Sequence, residues 1–199
     1  PLEPLRLGWT FALSNGRESE ISLPGDAGTV AGGVAATFAL EARPIALGGA
    51  RIGASYYRHR PADRTVSDVT ERVVAGHIVW DDGAPEIIVE VARVTHQRLD
   101  ADLPATRARA GYLHLGYRLP ASTGSLTPFF RFDRVSVDEG DPFYAGRVAG
   151  SRTATIGVRR DLSPAAVVKA EMRAVRGEDD EGWSRVFALG LDIALAPRE

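Results

Sequence analysis

The chain alternates between apolar and polar residues over most of its length, and the pattern is clearest near its end. From Phe187 to Leu195 every second residue is large and apolar, while the residues between them are small or polar. Because successive side chains of a strand point to opposite faces, this pattern predicts a strand with one apolar and one polar face. The stretch has roughly the 9–11 residues that a tilted strand needs to cross an outer-membrane bilayer.

Nine earlier stretches repeat this alternation, so the sequence predicts ten strands. We expect them at residues 5–14, 29–41, 50–59, 72–81, 86–96, 108–119, 126–135, 152–160, 165–175 and 184–195. Short turns centred near residues 46, 83, 122 and 162 alternate with longer polar loops. This asymmetry is typical of bacterial transmembrane barrels. We therefore predict an all-β fold, an antiparallel up-and-down transmembrane β-barrel of about ten strands that forms a single domain over residues 1–199.

Charges on the predicted apolar faces occur only beyond the uninterrupted apolar stretches, and all of them are arginines. They are Arg58, Arg72, Arg93, Arg109, Arg134, Arg152, Arg160 and Arg185. The long stem of an arginine lets its guanidinium group reach a membrane interface. A charge at the centre of a bilayer costs about 2–4 kcal/mol, so this segregation favours a lipid-facing surface.

The predicted polar faces carry the charges that we assign to the interior of the barrel. We predict twelve pore-lining residues: Arg6, Glu41, Arg51, Glu90, Arg118, Arg131, Asp133, Arg159, Lys169, Glu171, Arg173 and Asp192. Seven are basic and five are acidic, so a water-filled pore would weakly prefer anions. In a small barrel the same charges can instead pair with one another and fill the interior. We expect His77 and His114 to join this polar network rather than to bind a metal.

A soluble barrel or sandwich with apolar residues inside is the alternative to a membrane barrel. Three features favour the membrane: the polar faces are rich in small residues, Lys169 and Gln97 are the sole lysine and glutamine, and aromatic residues lie at strand ends. Two aromatic girdles are expected at the two interfaces of a membrane. The candidates are Phe38, Trp80, Tyr117, Phe129 and Phe130 near the short turns, and Tyr56, Tyr57 and Trp183 near the long loops.

Composition narrows the classes of function. The chain has no cysteine, which excludes disulfide frameworks and thiolate metal sites. Its net charge of −2 gives no indication of nucleic-acid binding. No run of about 18 apolar residues predicts a transmembrane helix. The chain begins at Pro1 without a leader, so we expect a mature or excised segment.

Five phrases resemble strands of bacterial outer-membrane porins. They are RIGASYY at 51–57, EIIVEVAR at 86–93, GYLHLGYR at 111–118, TPFFRFD at 127–133 and the final strand. They are similar to the C-terminal strands of porin-like proteins, including the phosphate-selective porin type. The resemblance implies a bacterial outer-membrane location, passive diffusion of small hydrophilic solutes or anions, and contact with outer-membrane lipid and lipopolysaccharide.

The chain departs from the porin pattern in two respects. Porins usually have roughly 16 or more strands, and their last strand usually ends in an aromatic residue where this chain has Leu195. We therefore expect either a small ten-stranded barrel or the C-terminal part of a larger one. Homo-oligomerisation and a closed barrel that anchors loops or a partner both stay open.

We predict that the protein is not an enzyme and uses no cofactor or metal. An outer-membrane hydrolase with its site at the long-loop rim is the third alternative. Its candidate residues are His59, His96, Asp63, Asp68, Asp133 and Asp138, but no spacing marks a catalytic dyad, and neither a GxSxG nor an HExxH motif occurs. The acidic runs at 138–141 and 178–181 match no calcium-loop motif, so we interpret them as solvated loops.

Overall fold

The computed structural model describes residues 5–15, 34–60, 69–82, 84–99, 103–120, 122, 125–163, 165–178 and 180–193. These ranges form one sheet of ten strands, each paired antiparallel with its neighbour in chain order. The strands are β1 Gly8–Asn15, β2 Val34–Ala42, β3 Arg51–His59, β4 Val69–Trp80, β5 Glu86–Arg98, β6 Thr106–Gly116, β7 Leu126–Val137, β8 Ser151–Ser163, β9 Ala166–Gly177 and β10 Ser184–Ile193. The prediction of an all-β, up-and-down antiparallel fold is confirmed.

The short turn between β2 and β3 has a different structure from the one between β8 and β9. A 3₁₀ turn at Ile45–Leu47 joins β2 to β3, and Gly48 and Gly49 follow it with positive φ angles, which glycine adopts without a steric penalty. Between β8 and β9 the strands extend into the predicted turn at 161–164, because Asp161 still pairs with Val167 before a bulge. No helix among the described residues is long and apolar enough to cross a membrane.

The register of the ladders places the apolar residues of neighbouring strands on the same face. Phe11 is opposite Phe38, which is opposite Tyr56, which is opposite Val74. A shift of one residue in any ladder would move a whole strand's apolar side chains to the other face. The alternation seen in each strand therefore becomes a property of the whole sheet.

The apolar face is the exposed face of the sheet. Trp9 is 70% exposed and Phe187 is 74% exposed. Among the described residues, the buried apolar side chains are few: Ala35, Ala50, Val69, Ala108 and Phe143. The buried polar and charged residues are more numerous: His59, Thr70, Glu71, Glu86, His96, Thr127, Asp141 and Thr155. In the described sheet, therefore, the large apolar side chains are mostly on the exposed face and the polar side chains account for most of the burial.

The polar face is concave. The guanidinium of Arg159 in β8 donates to the carboxylate of Glu86 in β5 over 2.8 Å, although β6 and β7 lie between them. In a flat sheet, strands three steps apart would be separated by about 14 Å, and side chains would leave roughly perpendicular to the sheet. The sheet must therefore curve towards its polar side. In the described part of the chain no ladder joins β1 to β10, so the sheet is not closed.

Three glycines make room for large side chains that lie across the concave face. Each is directly opposite its partner in a ladder: Gly53 and His77, Gly116 and Glu86, and Gly157 and Phe129. A Cβ atom at Gly157 would lie 2.6 Å from Cζ of Phe129 and 2.7 Å from the Ala170 carbonyl oxygen. The small residues of the polar face therefore have a packing role on the inner side of the curve.

Phe129 lies on the concave face, so its assignment to an aromatic girdle was wrong. Its ring stacks on His114 with centroids 5.5 Å apart. Phe130 lies on the apolar face. Likewise, Tyr56 lies on the apolar face and Tyr57 on the concave face. Because consecutive residues of a strand point to opposite sides, only one member of each aromatic pair can face outwards.

We predict that Gly157→Ala destabilises the sheet, because the new methyl group collides with a ring and a backbone carbonyl that cannot both move. Overpacking of this kind lowers the free energy of unfolding by about 1–3 kcal/mol. The midpoint of urea-induced unfolding measures the change. Gly190→Ala is the matched control on the same face, since no atom lies within 4 Å of the place that its new methyl group would occupy. Equal midpoints for the two variants would contradict the packing role.

Candidate functional site

A charged cluster centred on Glu86 occupies the short-turn end of the concave face. Glu86 begins β5 and is only 6% exposed. Its carboxylate accepts hydrogen bonds from Arg159 at 2.8 and 3.3 Å and from Arg118 at 3.1 Å. His114 Nε2 lies 3.9 Å from the same carboxylate. Two guanidinium groups compensate the burial of this charge, and the cluster joins β5 to β8 and to the residues that follow β6.

A second group of charges lies in the middle of the concave face. Arg131 donates to both carboxylate oxygens of Asp133 over distances of 2.6–3.0 Å. Its guanidinium carbon lies 4.3 Å from the centre of the Tyr112 ring, which adds a cation–π contact. Tyr112 is opposite Glu90 in the β5–β6 ladder. The middle of the face is therefore organised by a bidentate ion pair that rests on an aromatic ring.

These two groups border a cavity of about 610 Å³. Its charged lining comprises Arg131, Arg159, Lys169 and Arg173 on the basic side and Glu86, Asp133 and Glu171 on the acidic side, with Thr127, Thr153 and Thr155 among the neutral residues. The wall is polar and carries one more basic than acidic side chain. Such a cavity has room for water and for a small hydrophilic solute.

The structure brings together about half of the twelve residues predicted to line a pore. The six that line the cavity are Arg131, Asp133, Arg159, Lys169, Glu171 and Arg173. A seventh, Arg118, donates a hydrogen bond to Glu86 at the edge of the cavity. Most of them are in ion pairs, since Arg173 donates to Glu171 and Lys169 lies 2.8 Å from Asp192 in β10. The pairing matches the alternative in which interior charges neutralise one another.

Apart from Asp192 in β10, the remaining predicted residues lie in or before β1 to β5. Glu41 pairs with Arg43 at 2.9 Å, and Arg51 pairs with Asp81 at 3.0 Å. Glu90 lines a separate depression of the concave face beside His77. Arg6 precedes β1 and has a positive φ angle of 41°. Their role in lining a pore stays a prediction.

A buried histidine with carboxylates on both sides occupies the long-loop end of the concave face. His96 Nδ1 lies 2.7 Å from Asp141, and His96 Nε2 lies 2.9 Å from Glu71. The three side chains are almost completely buried. The hydroxyl of Thr106 donates to the same Asp141 oxygen over 2.9 Å. The segment between β7 and β8 is thereby fastened to the concave sides of β4, β5 and β6.

The second oxygen of Asp141 stabilises the fold of its own segment. It accepts the backbone N–H groups of Phe143 at 3.0 Å and Tyr144 at 2.9 Å. Burial raises the pKa of Asp141, but the hydrogen bonds from His96, Tyr144 and Phe143 lower it by more, so the pKa lies below its usual value. The carboxylate therefore stays ionised at neutral and mildly acidic pH, and the interpretation of 138–141 as a fully solvated loop was wrong.

The four described residues among the candidates for a rim hydrolase are not gathered into one open site. Both ring nitrogens of His96 face carboxylates, His59 is buried, and the carboxylate of Asp138 accepts the Arg107 N–H. Asp63 and Asp68 lie outside the described residues, and Asp133 bonds to Arg131 on the wall of the cavity. Within the described ranges, no group of His, Asp and Glu has an arrangement suited to a metal ion.

Sequence reasoning missed Glu86, Glu71 and Asp141 as partners in these clusters. In the alternation of their strands, Glu86 and Glu71 fall on the polar face, and this position was the signal by which the sequence could have identified them. Asp141 has no such periodicity, and only the nearby aromatic residues Phe143 and Tyr144 distinguish its loop from a solvated one. Their rings contact His96 with centroids 4.7 and 5.3 Å away.

No protein-family model matches this chain, and neither a curated protein nor a solved structure does. Its functional interpretation therefore depends on the geometry of the concave face and on the exposure of the apolar face.

We predict that Asp141→Ala releases the segment between β7 and β8. The substitution removes the hydrogen bonds to His96 and Thr106 and the carboxylate oxygen that accepts from the backbone N–H groups of Phe143 and Tyr144. Hydrogen bonds to a charged group contribute about 1.5–3 kcal/mol, so amide exchange at Phe143 and Tyr144 should accelerate by roughly 10- to 100-fold. Hydrogen exchange resolved by residue measures this rate. Glu139→Ala in the same segment, with an exposed side chain, should leave it unchanged. Protection that survives Asp141→Ala would disprove the fastening role.

Proposed function

We propose that the ten strands form a transmembrane β-barrel, or a section of one, in the bacterial outer membrane, and that its polar interior conducts small hydrophilic solutes with a weak preference for anions. One observation carries this proposal. The large apolar side chains are on the exposed convex face, while ionised side chains pair on the concave face. Water would disfavour that apolar surface by roughly 25 cal/mol per Å², whereas lipid would favour it.

The two edge strands fit the same proposal. In lipid every backbone N–H and C=O must find a partner, so an open sheet edge is strongly disfavoured. β1 and β10 are the edges of the described sheet, and both carry exposed apolar side chains such as Phe11 and Leu189. A membrane-inserted form would pair these edges either with each other or with strands of a larger barrel.

Passage of solutes is supported by the cavity and by the charges around it. The lining of the 610 Å³ cavity extends across the concave face from Glu86 in β5 to Lys169 in β9. Its basic side chains, among them Arg131 and Arg173, outnumber its acidic ones. Charged side chains that line a pore select ions, which favours anions here by a small margin.

A closed barrel that anchors loops or a partner is the second candidate. It is favoured by the ion pair between Glu86 and Arg159, which crosses the concave face, and by the segment that Asp141 fastens at the other end. A ten-stranded barrel is narrow, so these contacts would reduce or block its interior. Conductance separates the two candidates, since an inserted closed barrel would carry no current.

We predict that Ile156→Arg impairs insertion into lipid vesicles much more than Leu162→Arg does. The two side chains are equally exposed, at 52% and 54%, but Ile156 lies in the middle of β8 and Leu162 at its short-turn end. An arginine costs about 2–4 kcal/mol at the bilayer centre and about 0–1 near the interface. The folded fraction is read from gel mobility in SDS with and without boiling. A wild-type protein with one mobility, soluble without detergent, would contradict the membrane location.

We predict that Arg131→Gln shifts the selectivity of the channel towards cations, because it leaves the Asp133 charge unpaired on the cavity wall. A unit charge about 4 Å from an ion in water contributes about 1 kcal/mol, with opposite signs for an anion and a cation, so the anion-to-cation permeability ratio should fall by up to about thirtyfold. Reversal potentials in planar bilayers under a salt gradient measure the ratio. Arg134→Gln is the control, since Arg134 is in the same strand but faces outwards. An unchanged reversal potential in Arg131→Gln would contradict the pathway.

A further inference from the structure

A groove crosses the apolar face over β4 to β7. Its volume is about 870 Å³, and Val91 and Phe132 are among its mostly apolar lining residues. Gly76 and Gly111 lie on either side of Val91 in one row of the sheet, and their missing side chains give the groove its depth. A Cβ atom at Gly111 would lie 2.9 Å from the Glu90 carbonyl oxygen, so the close packing of the backbone excludes a larger residue there.

Three arginines border this groove at its long-loop end. Arg93 and Arg109 are directly opposed in the β5–β6 ladder, and Arg134 is opposite Gly111. Directly opposed residues have Cβ atoms about 4.5–5.5 Å apart, and like charges at that separation destabilise a sheet. Within the described residues no carboxylate pairs with any of the three, because the acidic residues of the strands lie on the opposite, concave face.

We propose that this groove and its three arginines bind a lipid with an anionic phosphate headgroup. The inference rests on the proposed membrane location of the apolar face. A phosphate between Arg93 and Arg109 accepts hydrogen bonds from both guanidinium groups and removes their mutual repulsion. One acyl chain then lies in the groove over Gly76 and Gly111, against Val91 and Phe132.

The combination of an apolar groove with arginines at its end favours a phosphorylated lipid over other occupants. An inorganic anion would use the arginines and leave the apolar groove empty, and a neutral lipid would use the groove and leave the arginines opposed without a counter-charge. Arginines are also directly opposed elsewhere on this face, at Arg58 and Arg72 and at Arg134 and Arg152. Neither Arg58 nor Arg72 lines the groove. A comparison of the Arg58–Arg72 pair with the Arg93–Arg109 pair therefore distinguishes a specific lipid site from a general attraction of arginines to anionic lipid.

The test is native mass spectrometry of the full chain in neutral detergent, titrated with phosphatidic acid or with phosphatidylcholine of the same acyl chains. Wild-type protein should bind phosphatidic acid about tenfold more tightly than phosphatidylcholine, because its phosphate monoester carries more negative charge than the phosphodiester of phosphatidylcholine and has no choline cation to offset that charge. The double variant Arg93→Gln with Arg109→Gln should lose this preference and keep its affinity for phosphatidylcholine. The double variant Arg58→Gln with Arg72→Gln should behave as wild type.

A groove variant and a competitor test the two halves of the site separately. Gly76→Leu should weaken both lipids, since a Cβ atom there makes only ordinary contacts, the nearest at 3.6 Å, and the added side chain fills the groove. Inorganic phosphate should not displace the lipid at equal concentration. Equal losses in the two double variants, or displacement of phosphatidic acid by inorganic phosphate, would overturn the proposal.

Heat-dependent gel mobility, measured on the same samples, separates this inference from the proposed function. Wild-type protein that shows the heat-sensitive form but no preference for phosphatidic acid contradicts the lipid site alone. Wild-type protein without a heat-sensitive form contradicts the membrane location, on which the lipid site depends.

Discussion

Hydrogen bonding between neighbouring antiparallel strands assigns every side chain of this sheet to one of two faces. The nine ladders run in chain order, and each holds its register along the middle of its strands. Because strand side chains alternate, this register collects aromatic and aliphatic residues on the convex side and charges on the concave side. The cavity, the ion pairs and the groove all depend on that division.

Charges on the concave face are held by partners rather than by water alone. Glu86 is compensated by two arginines, Asp133 by one, and Asp141 by His96 and two backbone amides. A buried charge without such partners would be strongly disfavoured. Glycines opposite Glu86, His77 and Phe129 give these large side chains the space that a curved sheet otherwise lacks on its inner side. Packing and charge compensation therefore act together to maintain the curvature.

The arginines of the two faces have different chemical surroundings, although the same residue type serves both. On the concave face Arg131 and Arg159 lie beside carboxylates. On the convex face Arg93 and Arg109 oppose each other beside an apolar groove. The first arrangement suits a polar pathway or a filled interior, and the second suits the phosphate and acyl chain of a lipid. Arginine therefore lies beside carboxylates on the polar face and beside apolar side chains on the apolar face.

The ten strands, their order along the chain and the two faces could be predicted from the amino-acid pattern, because period-two alternation is a local property that each strand records separately. The same pattern placed Arg131, Asp133 and Lys169 on the polar side. The folded sheet was needed to show that Glu86 meets Arg159 across three strand spacings and that Asp141 meets His96 45 residues away. Those contacts depend on the curvature of the sheet and on the path of a loop, and neither leaves a periodic trace in the sequence. Alternation is the same whichever face is buried, so it could not say which face is exposed, whereas in the folded sheet the exposed face is the apolar one.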